Sequence, residues 1–402
     1  MDQNVTPTSE QTLVRRLLLS IERFLRVETA GGVVLLVATA AALTWANSPW
    51  HSGYEALWEA KVVPDFAGLT NFVAARPLRF WINDGLMTLF FLVVGLEVRH
   101  ELRHGSLSDP RIATLPIVSA IAGVLVPALI YLLVNTDAVS RRGWAVPTAT
   151  DIAFAVGILS LVGKGIPPAL RMLLLTLAII DDIVAILIIA FAYSSGIRLA
   201  ALALAACGAF IVWAMRRLGI RHALAYILPG GLIWFEMLRS GIHPTLAGVV
   251  LGMMAPATAA SNHLLRRLHP WVAYAIMPLF AFANAGVSLK QLSLSAGTAL
   301  TVTSGIVLGL VLGKPLGIVL AAAAAVRSGI CTLPEGVGWR HLVLLGCLGG
   351  IGFTMSIFIA NLAFPDPALL ATAKTAVLLA STGAAITGLV LGRCLPGMRQ
   401  QA

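Results

Sequence analysis

Long stretches without a single charged residue recur along this 402-residue chain, for example over 199–215 and 341–365. Charged residues make up only 11% of the sequence, whereas an ordinary soluble domain has roughly 25%. Apolar stretches of about 18 residues or more are typical of membrane-spanning helices. The sequence therefore predicts an all-α integral membrane protein. It argues against a soluble enzyme, a nucleic-acid-binding protein and a secreted disulfide scaffold.

Twelve segments are apolar enough to be predicted as transmembrane helices, joined mostly by short connections. They cover 29–47, 78–102, 112–135, 143–162, 168–194, 198–216, 222–238, 241–255, 270–289, 301–325, 341–362 and 370–393. We expect three regions: a cytoplasmic N-terminal segment (1–28) without a cleavable signal, a single transmembrane transport domain (29–393) and a cytoplasmic tail (394–402).

The lysines and arginines are distributed unequally between the two sides that these segments define. With the N-terminus placed inside, the inner side has about twice as many as the outer side, and Lys374 is among the outer ones. This bias predicts that both termini are cytoplasmic.

Asp181 and Asp182 lie at the middle of an apolar segment, too far from either end for their side chains to reach water. A charge at the bilayer centre costs at least about 2.5–3.5 kcal/mol on insertion scales, so such residues usually have a partner and often a function. Adjacent residues on a helix point about 100° apart, so the two carboxylates need not share one neighbour. A purely structural pair of carboxylates is the alternative.

Two of the predicted helices contain an interruption. In the first, Pro147 precedes Thr148, Thr150 and Asp151, which suggests a broken helix with polar groups at its gap; a simple proline kink capped by Asp151 is the alternative. The second contains Gly349, Gly350 and Gly352, which disfavour continuous helix. Interrupted segments at corresponding positions of two halves indicate a transporter site on an inverted repeat.

Lys314 lies in an apolar segment that has glycines at 305, 309, 313 and 317. Glycines four residues apart form a smooth ridge for close helix contact. Lys314 needs an anion within the membrane, and the Asp181–Asp182 pair is the natural candidate. The alternative is that Lys314 extends to the membrane surface.

Several further ionisable residues are candidates for a response to pH or for an ion entrance. Asp84 and Glu97 lie on the second segment, and Glu97 and Glu101 share a face near its inner end, beside His100. His243 is more typical of a histidine at a helix interface than of a ligand. We expect no catalytic metal site, since the sequence has no metalloenzyme motif and no cysteine cluster.

These residues resemble the NhaA family of sodium/proton antiporters from about Glu28 to Arg393. The most specific motifs are PTATDIAFA (147–155), LAIIDDIV (177–184), LFAFANAGVSL (279–289), GKPLG (313–317) and GGIGFTMSIFIA (349–360), together with 81–102.

The resemblance implies twelve helices, with two broken helices crossing near the midplane. It also implies roles for the polar residues: Asp182 as the principal cation ligand, Asp181 as a second ligand that pairs with Lys314, and Thr150 and Asp151 at the crossing. Family members commonly dimerise through an outer β-hairpin, which 48–77 does not clearly match.

Two positions depart from the family pattern at the inner side, in the region that the family associates with pH sensing. His100 stands where relatives often have arginine, and Leu265 stands where they often have glutamate. A permanent ion pair is therefore missing. We expect His100, which can change charge in the physiological range, to bind Glu97 and Glu101 at low pH.

A buried carboxylate surrounded by apolar groups holds either a proton or a hard cation such as Na⁺ or Li⁺, but not both. Competition at Asp182 and Asp181 therefore predicts a secondary transporter that exchanges Na⁺ or Li⁺ for protons, and the resemblance implies that it lies in the bacterial inner membrane. We expect the exchange to be electrogenic and pH-regulated. No enzymatic activity, cofactor or nucleic-acid partner is expected. The alternatives are a proton-coupled carrier of an organic ion, an intramembrane aspartyl protease and a channel.

Overall fold

A computed structural model describes residues 29–61, 76–163, 165–194, 196–220, 222–255, 259–288 and 297–394. Every regular element in these ranges is a helix. The nearest approach to a strand within them is an isolated antiparallel bridge between Lys61 and Pro77. Residues 62–75, almost half of the segment 48–77 that was compared with the family's hairpin, lie outside the described ranges.

Fourteen helices are labelled in chain order. They are α1 (Thr29–Ala46), α2 (His51–Glu59), α3 (Leu78–His104), α4 (Pro110–Val134), α5 (Ile152–Val162), α6 (Pro168–Ala192), α7 (Leu199–Arg217), α8 (Ile227–Ser240), α9 (Leu246–Met254), α10 (the consecutive segments Ala259–Trp271, Val272–Ile276 and Met277–Asn284), α11 (Thr298–Arg327), α12 (Trp339–Gly349), α13 (Phe353–Ala363) and α14 (Pro367–Arg393). Short 3₁₀ segments occur at Ser106–Ser108, Ser140–Thr148 and Ala223–Tyr226.

Seven of these helices, namely α1, α3, α4, α6, α7, α11 and α14, are long and apolar enough to cross a membrane. Two further pairs of segments pass the same test together but are each bent by 44°: Ser140–Thr148 with α5, and α12 with α13. The described chain thus has up to nine membrane spans by length and composition. The other three predicted spans correspond to α8, α9 and α10, and of these α8 has 14 residues and α9 only 9.

Three of the helices contain a short π-helical stretch, in which each turn is wider than an α-helical turn. The stretches are Trp81–Leu86 in α3, Val272–Ile276 in α10 and Gly309–Gly313 in α11. Such stretches frequently occur at functional positions. Here the first carries Asp84, and the third ends immediately before Lys314.

The glycine ridge of α11 packs against α4 and the segment that follows it. A Cβ atom at Gly309 would lie 2.7 Å from the Cβ of Pro147, and one at Gly313 would lie 3.0 Å from the Cα of Pro127. Real Cβ atoms essentially never approach as closely as at Gly309, and the distance at Gly313 is tighter than in most real contacts, so the absence of side chains allows this close packing. This close packing brings α11, and with it Lys314, beside the first broken helix.

Candidate ion-binding site

The first broken helix is interrupted between Thr148 and Ile152, in the middle of the protein. The 3₁₀ segment Ser140–Thr148 ends in this gap and α5 begins after it. Pro147 disfavours α-helix at the residue before it, and Asp151 has extended backbone angles, φ −91° and ψ 103°. The freed backbone N–H of Asp151 donates to the carbonyl oxygen of Ile351 at 2.7 Å. The two interruptions are therefore hydrogen-bonded to each other.

The second interruption is built around the glycines between α12 and α13. A Cβ at Gly350 would collide with the carbonyl oxygen of Leu310, and one at Gly352 would lie 3.0 Å from that of Ala149. Only residues without a side chain allow the backbone of this gap to approach both α11 and the other gap. The predicted glycines thus lie at the junction of the two broken helices.

Asp151 occupies the junction and caps two helices at once. One carboxylate oxygen accepts from the backbone N–H of Phe154 in α5 at 3.0 Å. The other accepts from the backbone N–H of Thr354 in α13 at 3.1 Å, and from the Thr354 hydroxyl. A negative charge at a helix N-terminus is favourable because the N–H groups there point outward. Asp151, which is 0% exposed, therefore complements two helix termini within the protein interior.

Lys314, Asp181 and Thr150 form a second polar group beside this junction. The Lys314 amine is 0% exposed, forms an ion pair with Asp181 Oδ2 and lies 2.5 Å from the Thr150 hydroxyl. That hydroxyl lies within donating distance of both Asp181 Oδ2, at 2.6 Å, and the carbonyl oxygen of Gly349, at 2.9 Å. The Lys314 amine therefore joins α6, α11 and the first interruption, and the Thr150 hydroxyl extends the connection to the second.

Asp182, the neighbour of Asp181, points elsewhere and is 2% exposed. Within the described residues, no hydrogen bond or ion pair reaches either of its oxygens, and the buried Oδ1 of Asp181 has no hydrogen-bond partner. The carboxylates of Asp181, Glu97 and Asp151 lie close enough to repel its negative charge. A buried carboxylate without a partner is costly, so it favours either a proton or a cation on the Asp182 side chain.

The residues proposed for pH response or ion entry fall into separate contacts. His243 Nε2 lies 3.3 Å from Asp84 Oδ1, and its Nδ1 lies 2.9 Å from the Thr245 hydroxyl. Asp84 and His243 are thus brought together by α3 and the turn between α8 and α9, which the sequence did not predict.

The inner end of α3 is arranged differently from our expectation for His100. Glu97 has His269 Nε2 at 3.8 Å, and Glu101 accepts from the backbone N–H of Ser106 at 2.8 Å. The His100 ring is exposed and stacks on His104. The His100 imidazole thus lies along the helix surface, and Glu97 and Glu101 each contact another residue instead. Leu265, on α10, packs partly buried against the core.

One buried polar cluster was missed by the sequence reasoning. It consists of Asn83, Asn284, Asn361 and Lys374, on α3, α10, α13 and α14. Lys374 was placed at the outer surface, but it is only 7% exposed. It lies eight residues into α14, close enough to the start of the helix to be assigned to the surface. The apolar residues on either side of it in the sequence were the available signal of burial. Asn284 and Asn361, each inside a long apolar run, were the other signal.

Known proteins resemble this chain over most of its length. The family model described as Na+/H+ antiporter 1 matches residues 22–391. The chain belongs to this family. It is 47% identical to the Na(+)/H(+) antiporter NhaA of Janthinobacterium sp. (strain Marseille), with 98% of this chain and 97% of the relative aligned. It is 50% identical to the protein of that name from Acidovorax sp. (strain JS42), over 92% and 91% of the two chains.

A third relative is the Na(+)/H(+) antiporter NhaA 2 of Pseudomonas putida F1, which is 48% identical over 95% of this chain and 94% of its own length. Membership of the antiporter family confirms the resemblance drawn from the motifs. Together with its long apolar helices, it identifies the chain as a multi-pass membrane protein.

Proposed function

We propose that this protein is a secondary transporter, not an enzyme, and that it exchanges Na⁺ for protons across the bacterial inner membrane. The observation that supports this most directly is the contrast between two adjacent carboxylates. Asp181 is neutralised by Lys314, whereas Asp182 is buried without a hydrogen-bond partner in the described part of the chain. An unpartnered carboxylate in this position has to bind a proton or a cation.

Competition for Asp182 is sufficient for exchange. Carboxylate and hydroxyl oxygens suit a hard cation such as Na⁺ or Li⁺. Asp182, the free Oδ1 of Asp181 and the hydroxyl of Thr150 would supply such ligands. When a cation binds, the proton on Asp182 has to leave, and release of the cation to the other side allows a proton to bind again. Exchange needs only that the site opens to each side in turn.

The two interruptions support a particular architecture. We infer twelve transmembrane helices arranged as an inverted repeat, with both termini cytoplasmic and the broken helices crossing near the midplane. Residues 29–393 then form one transport domain between the segments 1–28 and 394–402. This orientation places the Asn83–Lys374 region on the outer side and Glu97 on the inner side.

We also propose further properties of this exchanger. They comprise Li⁺ as a second substrate, net charge movement in each cycle, regulation by pH through the inner end of α3, contact with the lipid bilayer, and a homodimer.

The proton-coupled carrier of an organic ion is the competing function. It would need a larger polar pocket at the midplane, ideally with an arginine, whereas the polar groups found there are small oxygen donors and one lysine. Reconstitution into proteoliposomes distinguishes the two. We expect internal pH to change on addition of Na⁺ or Li⁺ but not of organic cations, and the reverse selectivity would contradict the proposal.

A further inference from the structure

Three asparagines and a lysine form a buried polar cluster apart from the ion site described above. Three N–H donors, from Asn83 (3.3 Å), Asn361 (3.0 Å) and Lys374 (3.5 Å), converge on one acceptor, Asn284 Oδ1. Asn284 in turn donates to Asn83 Oδ1 at 2.7 Å. An amide oxygen has two lone pairs, so the cluster has more donors than this acceptor can satisfy.

Lys374 has no carboxylate within ion-pairing distance in the part of the chain that the structure describes. The charge that acts on it is the like charge of Arg79, which itself lies 3.4 Å from Glu59. Asp84 is occupied by His243, and the exposed Asp366 caps α14 through the N–H of Leu369. Lys314, by contrast, is buried together with its counter-charge.

The helices packed against α14 do not supply a counter-charge either. α5, α13 and residues 298–313 of α11 contain no ionisable side chain. α12 carries Arg340 and His341, but at its far end, where it meets the C-terminal half of α14. An ammonium group buried among amide donors would therefore be unbalanced. A neutral amine at the same place offers a lone pair, and it relieves the excess of donors.

The position of the cluster connects it to the ion site through one helix. Thr354, Phe358 and Asn361 follow each other on one face of α13 at spacings of four and three residues. Thr354 binds Asp151 at the junction, and Asn361 belongs to the cluster. Phe358 lies between them, with ring centroids 5.5 Å from Phe91 and 5.6 Å from His243. An apolar layer thus separates the cluster from the ion site in this state.

We propose that Lys374, held by Asn83, Asn284 and Asn361, is a proton-binding site in the outer half of the protein. Its amine is neutral while the outer half is closed, and it takes up a proton from the external solution when that half opens and water enters. Opening to the outside is thereby favoured by external protons. The proton site stands on the cluster's geometry, whereas its coupling to exchange rests on the proposed antiport function.

The protonation state of Lys374 can be measured in the intact protein. The chain has only five lysines, so ¹⁵N-lysine labelling gives a simple side-chain NMR spectrum. We expect one neutral-amine signal near neutral pH without Na⁺, lost in Lys374→Met and kept in Lys314→Arg. If Lys374→Met does not fold, Lys374→Arg serves the same assignment. Only ammonium signals at every pH at which the protein is folded, or a neutral signal that persists without Lys374, would overturn the site.

The coupling of Lys374 protonation to exchange is tested in right-side-out vesicles. The measurement is how Na⁺-driven proton exchange depends on external pH. We expect this dependence to be flattened in Lys374→Met and unchanged in Thr375→Val. The control removes a buried hydroxyl that bonds only to Ala371 on the same helix. A parental profile in Lys374→Met would overturn the coupling. If the parent protein shows no Na⁺-dependent proton flux, antiport itself fails, and the NMR result still decides the proton site.

Discussion

Asp151 and Thr354 are 203 residues apart in the sequence, yet the carboxylate of one accepts both the backbone N–H and the hydroxyl of the other. The same carboxylate caps its own helix, α5. One residue therefore satisfies the N-termini of helices from the two broken segments. This side chain adds to the hydrogen bonds that the Asp151 N–H and the Thr150 hydroxyl make across the junction.

Replacing Asp151 by alanine should destabilise the protein more than removal of an ordinary helix cap. Loss of one N-cap costs about 0.5–2 kcal/mol, and this substitution removes two caps and leaves buried N–H groups unpaired. Asp366→Ala is the matched control, because Asp366 caps only α14 and is exposed. Thermal melting in detergent measures both variants. Equal melting temperatures for the two would show that the second cap contributes nothing.

Lys314→Met should destabilise the protein by leaving Asp181 buried without its partner. Breaking a fully buried ion pair costs about 3–5 kcal/mol. The double variant Lys314→Met/Asp181→Asn should recover much of this loss, because it removes both charges, and a double-mutant cycle isolates the pairwise term. Melting temperatures that are strictly additive would mean that the two side chains do not interact in the folded protein.

Exchange should respond to an imposed membrane potential. If two protons leave Asp182 and the Lys314–Asp181 pair for each Na⁺ bound, every cycle moves net charge. Proteoliposomes with a potassium diffusion potential measure this at fixed Na⁺ and proton gradients. A rate that is indifferent to the potential would indicate one-for-one exchange, with Asp182 as the single proton carrier.

The response to pH should depend on His269 more than on His100. A protonated His269 attracts the carboxylate of Glu97, 3.8 Å away, and loses this attraction as pH rises. His100 stacks on His104 instead. We expect His269→Gln to alter the pH profile at saturating Na⁺ and His100→Gln to leave it nearly unchanged. The opposite ranking would restore His100 as the sensor, and two parental profiles would leave proton–cation competition as the only cause.

The membrane-protein class and the polar groups of the central site were predictable from the sequence. Charged residues are costly within a bilayer, so the few that occur in apolar segments are easily recognised. A carboxylate pair at mid-membrane requires a partner, and Lys314 was the one lysine or arginine that the sequence did not assign to either membrane surface. The interruptions were visible for a similar reason, since proline and clustered glycines disfavour continuous helix wherever they occur.

Other features could not be read from the chain because they depend on which helices meet. Nothing in the sequence links Asp84 to His243, or Glu97 to His269, since each contact is made by residues more than a hundred positions apart. Lys374 was assigned to the outer surface but is buried beside Asn284, because the sequence does not show which helices pack around a residue near a helix end. An asparagine in an apolar segment is a weaker signal of a functional position than a charged residue.

The central claim is that Asp182 alternates between a proton and Na⁺. Asp182→Asn has a side chain of nearly the same size that cannot exchange a proton for a cation. Asp366→Asn, at the exposed N-cap of α14, is the control. Na⁺-dependent proton flux in proteoliposomes should be lost in Asp182→Asn and kept in Asp366→Asn, with both variants folded by thermal melting. Substantial Na⁺-dependent proton flux in folded Asp182→Asn would contradict the claim.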